Sequence, residues 1–362
     1  MLSVVHLFAG SMTQKHAGLA SVIVPARNEA ANIERLLRSL AGQQRVLEIL
    51  AADDQSQDRT LEILEAMKAE LPLLRVLHIA SLPEGWLGKT YAVATAAREA
   101  GGDWLLFTDA DTEHLPGSLA ALLELAEREE VDLLSLSPAQ ITPTWWEKAV
   151  IPLVYVNLAR LYRFEEVSDP HSAAAAANGQ YLLIRRDVYT HVGGHEAVRG
   201  EILEDVALAK RVKAAGGKLL FLPGAAWVRT RMYQTFREMW RGWTKNLFLL
   251  YGRSPAKIFK ALVGICVFDL LPQVILVLAV IWLLSGRGVA LNLGAAAGCL
   301  LAVTVRHTAY LRTITHLGFD SRVAPWRLEG AVIFGALLIN SVIAHSISRH
   351  VEWKGRRYST RG

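Results

Sequence analysis

Short apolar runs that end in polar or acidic loops recur through the first 111 residues, and this pattern constrains the fold more than any other feature of the chain. The runs cover residues 21–25, 46–52 and 104–108, and the last two stop at Asp53-Asp54 and Asp109-Ala110-Asp111. The first leads through a polar loop into a predicted helix that ends near residue 41 and has one apolar face, formed by Ile33, Leu36, Leu37 and Leu40. Ligands collect outside the carboxyl ends of strands in open parallel sheets. We therefore expect both acidic loops to face one crevice.

Asp109 and Asp111 are candidate ligands of a divalent cation. Side chains alternate along a strand, so residues two apart point to the same side. Two carboxylates on one side provide the hard oxygen ligands that suit Mg2+ or Mn2+ bridging to phosphate. The same residues are also typical of an Asp-rich turn without a ligand. The metal interpretation therefore depends on agreement with the rest of the chain.

A loop between the acidic loops is a candidate anion site. Gly85 and Gly88 precede a helix predicted from Thr90 to about Ala100, and Lys89 stands at its start. Backbone N–H groups at a helix N-terminus can approach an anion, and the lysine adds positive charge for phosphate. The P-loop spacing GxxxxGK[ST] is absent. The alternative is a surface turn with a solvated lysine.

Glu204 and Asp205 open a further predicted helix, which runs to Gly216. Acidic residues in a first helical turn commonly complement the helix dipole without any other role. An enzyme that deprotonates a hydroxyl also requires a carboxylate base, and one residue of this pair is a candidate. The run that follows, residues 218–223, is predicted to be an edge strand because it ends at Pro223.

The C-terminal third holds most of the apolar excess of the chain, whose hydrophobic fraction is 52% over 362 residues. Residues 262–284, 289–311 and 328–348 each contain one charged residue, and each is long enough to cross a bilayer core of about 30 Å. They predict membrane anchoring; the alternative is a set of buried core helices. The two cysteines, Cys266 and Cys299, lie inside these segments, which argues against a disulfide framework or a thiolate metal site.

The two ends of the chain give conflicting indications of topology. Residues 1–20 fit neither a secretory signal nor a full span, so the catalytic region is expected in the cytoplasm. The tail at 349–362 is basic, and the positive-inside rule places it there too. Three spans would put these regions on opposite sides. We therefore expect two to three spans. Either one segment is re-entrant or interfacial, and the segment with Asp269 and Pro272 is the first candidate, or the N-terminal stretch also contributes to the membrane region.

Residues 145–164 have an apolar middle that is too short to span a membrane. Trp145 and Trp146 stand at one end, and Arg160 and Arg163 at the other. This pattern predicts an amphipathic helix that lies in the membrane face. The alternative is a buried helix of the catalytic domain.

Six motifs, in order and spacing, resemble those of the family 2 glycosyltransferases of the GT-A fold. They are SVIVPARNEAANI, DDQSQD, PEGWLGK, DAD, NGQ and ED, and they cover about residues 20–250. The stretches GWLGK, GGHE, EDVALA and GWTKNLF are similar to the membrane-bound branch of hopene-associated and carotenoid (diaponeurosporenoate-type) glycosyltransferases, with ceramide glucosyltransferases as more distant relatives. The resemblance implies an α/β fold with a mostly parallel sheet flanked by helices, followed by a C-terminal transmembrane helical region.

The resemblance also implies a nucleotide-sugar donor, with a UDP-sugar preferred. Its pocket would be lined by Pro25, Asn28 and Glu29, while Asp53 or Asp54 would contact the uracil or ribose and Lys89 would lie near the donor. Asp111, helped by Asp109, would hold Mg2+ or Mn2+ on the diphosphate.

On the acceptor side, the resemblance implies that Asp205, with Glu204 beside it, deprotonates a hydroxyl that displaces the nucleoside diphosphate with inversion. The acceptor would be a membrane lipid or isoprenoid (hopanoid, carotenoid or glycolipid), and no nucleic-acid partner is expected. The implied location is a bacterial-type inner membrane, with the protein multi-pass and its catalytic domain cytoplasmic. The implied organisation is a catalytic domain at 21–250, a membrane region at 258–348 and a basic cytoplasmic tail.

One departure from processive relatives concerns residues 237–243. Those enzymes carry a QxxRW motif after the base, whereas this region, REMWRGW, lacks that spacing. A single transfer to a lipid is therefore expected. Arg241 and Trp243 would still close over the diphosphate and sugar, or form an interfacial belt before the membrane.

Two alternative functions remain. A phosphatase of the haloacid dehalogenase type also places DxD after an apolar strand. It requires Thr or Val two residues after the second Asp, where this chain has Glu113. A non-enzymatic membrane protein that retains a glycosyltransferase shape would usually have lost acidic positions that are present here: Asp54, Asp109, Asp111 and Asp205.

Overall fold

The computed structural model describes residues 18–286 and 288–359, so most of the N-terminal segment predicted at 1–20 lies outside it. The strands in this part of the chain are β1 (Ala20–Ala26), β2 (Val46–Asp53), β3 (Leu74–His78), β4 (Trp104–Phe107), β5 (Thr112–His114), β6 (Leu133–Ser137), β7 (Ala139–Gln140), β8 (Leu182–Arg185), β9 (Leu219–Pro223), β10 (Val228–Thr230), β11 (His350–Trp353) and β12 (Arg356–Ser359).

The helices are α1 (Ile33–Ala41), α2 (Thr60–Met67), α3 (Gly88–Glu99), α4 (Ser118–Arg128), α5 (Trp145–Leu161), α6 (Phe164–Ser168), α7 (Arg186–His191), α8 (Glu204–Ala214), α9 (Phe236–Leu250), α10 (Pro255–Gly264), α11 (Leu271–Leu284), α12 (Val289–His316) and α13 (Arg327–Ile343). Short 3-10 helices cover Gly194–Val198 and Ser321–Trp326, and π-helical turns cover Ile265–Leu270 and Ala344–Ser348.

A seven-stranded sheet in the order β3-β2-β1-β4-β8-β6-β9 forms the centre of the catalytic region. Strands β3, β2, β1 and β4 are mutually parallel, and β8 runs antiparallel to both β4 and β6. Strand β9 is the edge strand that Pro223 predicted. Because β1, β2 and β4 are parallel neighbours, their carboxyl ends bring the three predicted loops to one edge of the sheet.

Helices cover both faces of this sheet, as the strand sequences require. Val22 and Val24 point to the layer that α1, α2 and α4 build, and Ile23 points to the opposite layer with α3 and α8. The predicted apolar face of α1 is confirmed, since all four of its residues are buried: Ile33, Leu36, Leu37 and Leu40. Both faces are therefore closed to water, which explains the continuous apolar runs in the sequence.

A small second sheet, in the order β5-β10-β7, holds the chain just after Asp111. Behind it lies a buried polar network centred on the Thr108 hydroxyl, which is 2.9 Å from Thr112 Oγ1 and 3.0 Å from His114 Nε2, and which donates to the Gln180 carbonyl at 2.9 Å. These contacts fix the backbone on either side of the Asp109-Ala110-Asp111 turn.

Three helical segments in the described residues are long and apolar enough to cross a membrane: Pro255–Leu284, Val289–His316 and Ser321–Ser348. They contain the three predicted apolar segments. Asp269 is not an isolated intramembrane carboxylate, because it forms ion pairs with Arg306 in the second segment, at 3.0 Å, and with Arg327 in the third. Pairing of this kind is what a charge in an apolar region requires.

The third segment packs firmly on the catalytic region. A side chain at Gly330 of α13 would overlap the Ala149 carbonyl of α5. Hydrogen bonds join α13 to α9: Asn340 Nδ2 donates to Thr244 Oγ1 at 2.8 Å, and the Ser341 hydroxyl donates to the Thr244 carbonyl at 2.6 Å. We call this contact between α5, α9 and α13 the seam.

Helix α5 occupies most of the predicted 145–164 helix and is largely covered by protein. Trp146 and residues 149–156 are buried, whereas Trp145 is 50% exposed and stacks beside Trp326. This burial favours the packed alternative for the middle of the helix and leaves Trp145 as its outward aromatic side chain. The interfacial position of the helix stays a prediction.

The basic tail contains a β-hairpin that folds back over the catalytic region. Strands β11 and β12 pair antiparallel around Lys354-Gly355, both with positive φ, as a two-residue hairpin loop requires. Arg349 precedes the hairpin and is exposed.

Candidate active site

The loops after β1 and β2 meet through hydrogen bonds between their backbone and side chains. Asn28 N–H donates to Ser56 Oγ at 3.0 Å, and Asn28 Oδ1 accepts from the Gln57 backbone at 2.8 Å. Asn28 and Gln55 both have positive φ, at 52° and 57°. Non-glycine residues in this region cost free energy and cluster at functional sites. The polar loops predicted after the first two apolar runs are thus joined by hydrogen bonds and contain strained backbone at Asn28 and Gln55.

The carboxylates of the predicted nucleotide pocket lie at this junction. Asp53 and Asp54 are buried, and Asp53 Oδ1 has no hydrogen-bond partner among the described residues. Glu29 accepts a hydrogen bond from Asn32 Nδ2 at 2.9 Å. Pro25 lies nearby and lines a small cavity of about 10 Å³ that also reaches Lys89 and Asp109. The structure therefore brings the predicted donor-site residues of all four loops to one region.

Asp111 has the properties of a cation ligand. Its Oδ1 atom is buried without a hydrogen-bond partner in the described part of the chain. Burial, together with the negative charges of Asp109 and Glu29, raises the pKa of Asp111 to about 8. A divalent cation would remove this electrostatic cost and supply the missing partner.

The donor set for such a cation is small. Among the described residues, no group of three or more His, Cys, Asp or Glu side chains could hold a metal by itself. Asp109 and Asp111 fit a cation that takes its remaining ligands from water and from a bound diphosphate, which is the usual arrangement for Mg2+ at phosphate sites.

Lys89 connects the predicted metal side with the predicted base. Its ammonium group lies 2.8 Å from Asp109 Oδ1 and 2.8 Å from Glu204 Oε1. Burial disfavours the charged form of Lys89, but the two carboxylates and Asp205 outweigh it and raise its pKa well above the ordinary value. Lys89 is therefore ion-paired, in contrast to the free, solvated lysine of the surface-turn alternative. Its predicted role beside the donor phosphates stays a prediction.

Asp205 lies at the start of α8 and faces a different environment from Glu204. Its two carboxylate oxygens accept hydrogen bonds from the backbone N–H groups of Gly179, at 2.8 Å, and Val206, at 2.7 Å. Burial and the Glu204 charge raise the pKa of Asp205 to about 6, against the opposing effect of Lys89. The ion pair with Lys89 neutralises Glu204, so Asp205 is the better placed of the two to accept a proton.

A larger cavity of about 130 Å³ opens on the other side of Asp205. Its lining is mostly apolar and comes from α5, α6, α9 and the turn after α12: Tyr155, Leu158, Ala159, Tyr162, Phe164, Leu250 and Leu317. Two polar groups in its wall, Trp243 Nε1 and Asn246 Oδ1, have no hydrogen-bond partner within the described residues. Asp205 lines both this cavity and the small one beside Asp109.

Arg241 and Trp243 do not lie together. Trp243 is buried in the wall of the larger cavity, whereas Arg241 is exposed and lies 3.6 Å from Glu352 of the hairpin. They thus do not form a single clamp or an exposed belt. The sequence did not lead us to propose Asn246, Lys354 or Arg356 as residues of the site. The motif GWTKNLF contains Asn246, and the Lys354-Gly355 pair is a signal for the hairpin turn that places Lys354 and Arg356.

The mixed sheet, the loops at its carboxyl edge and the two carboxylates after β4 define a GT-A-type nucleotide-diphospho-sugar transferase fold. The mannosyltransferase PcManGT from Pyrobaculum calidifontis, solved in complex with GDP-Man and Mn2+, superposes with a TM-score of 0.51 at 18% identity, and covers 92% of this chain and 88% of that one. At this identity the likeness concerns the fold alone.

Residues 21–193 match the family model described as Glycosyl transferase family 2. The chain is 30% identical over 232 residues to a 4,4'-diaponeurosporenoate glycosyltransferase of Staphylococcus haemolyticus (strain JCSC1435). The aligned region covers 63% of this chain and 60% of the relative. A protein of the same description from Staphylococcus aureus (strain USA300) is 28% identical over 261 residues, covering 71% and 68%. The chain thus spans about three fifths of the length of the first relative. These matches relate the chain to family 2 glycosyltransferases.

Proposed function

We propose that the protein is an inverting glycosyltransferase that moves a sugar from a nucleoside-diphosphate sugar, with a UDP-sugar preferred, to a membrane lipid acceptor. One observation carries the proposal: Asp205 lines both the polar cavity beside Asp109 and the apolar cavity that approaches the membrane-type helices. A carboxylate between a charged donor site and an apolar cavity suits a base that acts on a lipid hydroxyl.

In this mechanism, Asn28, Glu29 and Asp54 orient the nucleoside, and Asp205 takes the proton of the acceptor hydroxyl as its oxygen attacks the anomeric carbon. The bond to the nucleoside diphosphate breaks on the opposite face, so the configuration inverts. Lys89 offsets negative charge beside Asp109 and Glu204. A cation held by Asp111 and Asp109 would stabilise charge on the leaving diphosphate.

The acceptor cavity supports a lipid rather than a sugar polymer. Its wall is mostly apolar and includes Leu250 and Leu317, at the ends of α9 and α12. A volume of about 130 Å³ is room for about four water-sized groups. It therefore fits the polar end and first carbons of a lipid whose remainder stays in the bilayer. The names of the carotenoid-type relatives support an isoprenoid acceptor.

The test is release of UDP from a panel of UDP-sugars by detergent-solubilised protein, with bacterial lipid extract and with Mn2+, Mg2+ or chelator. Lipid-stimulated, metal-dependent release is expected. No release from any sugar while nucleotide binding persists would indicate another donor nucleotide or a missing acceptor. Loss of nucleotide binding as well would favour the non-enzymatic alternative, and phosphate release from phosphomonoesters would favour the phosphatase.

Replacing Asn246 by Leu should weaken the acceptor interaction selectively. The change removes a polar group that has no partner in the described protein and would meet the acceptor head, so the KM for lipid should rise by about tenfold, the usual scale of one lost hydrogen bond. The dissociation constant of UDP should not change. Leu158→Met is the control, because it keeps the apolar lining at similar volume. An unchanged KM for lipid would contradict the assignment of this cavity.

Turnover should fall on the acid side of pH 6. Asp205 must be ionised to accept a proton, and its pKa of about 6 means that the active form is lost about tenfold per pH unit below that value. The charged groups that face it are Glu204, which raises this pKa, and Lys89, which lowers it, with Lys245 also nearby. The measurement is kcat/KM for lipid against pH, which reports the free enzyme, with UDP binding followed in parallel. A flat kcat/KM between pH 5 and 7 would exclude Asp205 as the base.

A further inference from the structure

The C-terminal hairpin covers the loops that are proposed to bind the nucleoside. Lys354 forms an ion pair with Glu29, and Arg356 forms a two-pronged ion pair with Asp54, with Nη2 2.9 Å from Asp54 Oδ1. Arg356 Nη2 also donates to Gln55 Oε1 at 3.0 Å. Two carboxylates of the candidate donor site, and Gln55 beside them, are thus in contact with side chains from a distant part of the sequence.

The contact is built into the protein at several further points. Arg27 Nε donates to the Lys354 carbonyl at 3.1 Å, while its Nη1 donates to the Asp54 carbonyl, so one guanidinium joins the hairpin to the loop after β2. Glu352 faces Arg241 of α9 on the other side of the hairpin. Lys354 adopts a positive φ, a conformation that non-glycine residues seldom adopt, and in this conformation its ammonium group contacts Glu29.

These pairs are poorly accessible to water. The side chains of Asp54 and Arg356 are 4% and 15% exposed, and those of Glu29 and Lys354 are 13% and 26% exposed. Two-pronged pairs between arginine and carboxylate are among the stronger polar contacts in proteins. Next to them, Gly88 leaves room for Arg356, because a side chain at position 88 would overlap both Arg356 and Asp54.

We propose that the hairpin is an intramolecular competitor of the nucleotide sugar. Lys354 and Arg356 hold the carboxylates of Glu29 and Asp54 when no donor is bound, and the hairpin withdraws when the nucleoside takes these carboxylates as partners. The inference rests on the proposed function, because it takes the loops after β1 and β2 to be the nucleoside site. Donor binding is then coupled to movement of the tail, since an affinity measured on the intact protein includes the cost of displacing the hairpin.

The sign of the effect distinguishes competition from simple attraction. UDP is an anion, so removal of a nearby arginine should weaken its binding if the hairpin only adds positive charge to the site. If the hairpin competes, the same removal should tighten binding. The two roles therefore predict opposite outcomes for one variant.

The experiment measures the dissociation constant of UDP with Mn2+ by calorimetry, for full-length wild type, Arg356→Ala, Lys354→Ala and the control Arg349→Ala. The control removes an equal charge from an exposed position of the same tail. We expect Arg356→Ala to bind UDP about fivefold to thirtyfold more tightly than wild type, because a contact of ordinary strength would then no longer oppose binding. Arg349→Ala should match wild type. Equal or weaker binding by Arg356→Ala overturns the proposal.

A measurement on the wild-type protein removes any dependence on how the variants fold. Amide hydrogen exchange of residues 350–359 should accelerate when UDP and Mn2+ are added, because the hairpin leaves its contacts. Unchanged or slower exchange, with UDP bound, overturns the competition and leaves the proposed function standing. Absence of UDP and GDP binding in wild type and variants alike would instead contradict the proposed function itself.

Discussion

Asp205→Asn should lower turnover by about two to four orders of magnitude, the range that general base catalysis contributes. Asn keeps the size of the side chain and one oxygen for the backbone N–H groups of Gly179 or Val206, so the start of α8 should persist. It cannot accept the proton of the acceptor. Glycosyl transfer to lipid is the measurement, and the dissociation constant of UDP should stay within about twofold of wild type because Asp205 does not contact the nucleoside loops.

The neighbouring carboxylate provides a comparison for this variant. Glu204→Gln breaks the ion pair with Lys89 and should affect both donor binding and turnover, whereas Asp205→Asn should affect turnover alone. Asp187→Asn, at an exposed site outside both cavities, serves as the matched surface control. Full transfer activity of Asp205→Asn would show that Asp205 is not the base of the reaction.

Asp111→Asn should be the second variant with a large effect, with at least about a hundredfold loss of metal-dependent transfer. Loss of groups that only orient a metal ligand already costs 10 to 100-fold, and Asp111 would be a ligand itself. Ligand binding stabilises the folded state. Mn2+ with UDP should therefore raise the Tm of wild type, but not that of Asp111→Asn.

The control for this variant is Glu113→Gln, which removes the same charge two residues further on, in β5. It should keep both the activity and the shift of Tm. If Asp111→Asn retains metal-stimulated transfer, the cation is held elsewhere or is not required, and the role assigned to the Asp109-Ala110-Asp111 turn is wrong.

Much of the fold could be predicted from local patterns. The strands before Arg27, Asp54 and Asp109 were evident because buried parallel strands are continuous apolar runs, and the face of α1 followed from its period. The convergence of their loops also followed, because parallel strands share a carboxyl edge. These features depend on a few neighbouring residues, which a single sequence displays.

The unpredicted parts of the site depend on contacts between distant segments. Lys354 and Glu29 are 325 residues apart, and Thr244 and Ser341 are 97 apart. The sequence around each of these residues therefore gives no indication of its partner. Trp243 and Arg241 are likewise separated because they lie on different sides of α9, and only the side with Trp243 is buried. Lys89 was predicted to lie near the donor, but its position between Asp109 and Glu204 depends on how α3 and α8 are placed in the fold.

The seam has a consequence for which lipids can react. Because Gly330 lets α13 lie against the α5 backbone, and because Thr244 is hydrogen-bonded to α13, the catalytic region is not suspended from the apolar helices by a flexible linker. In the proposed membrane orientation, Asp205 then stands at a fixed height relative to the bilayer. A lipid that presents its hydroxyl at that level needs only to diffuse sideways, whereas one with a deeper hydroxyl must first be raised out of the membrane. Under the proposed function, the packing of α5, α9 and α13 would therefore help to select acceptors by the depth of their hydroxyl group in the membrane.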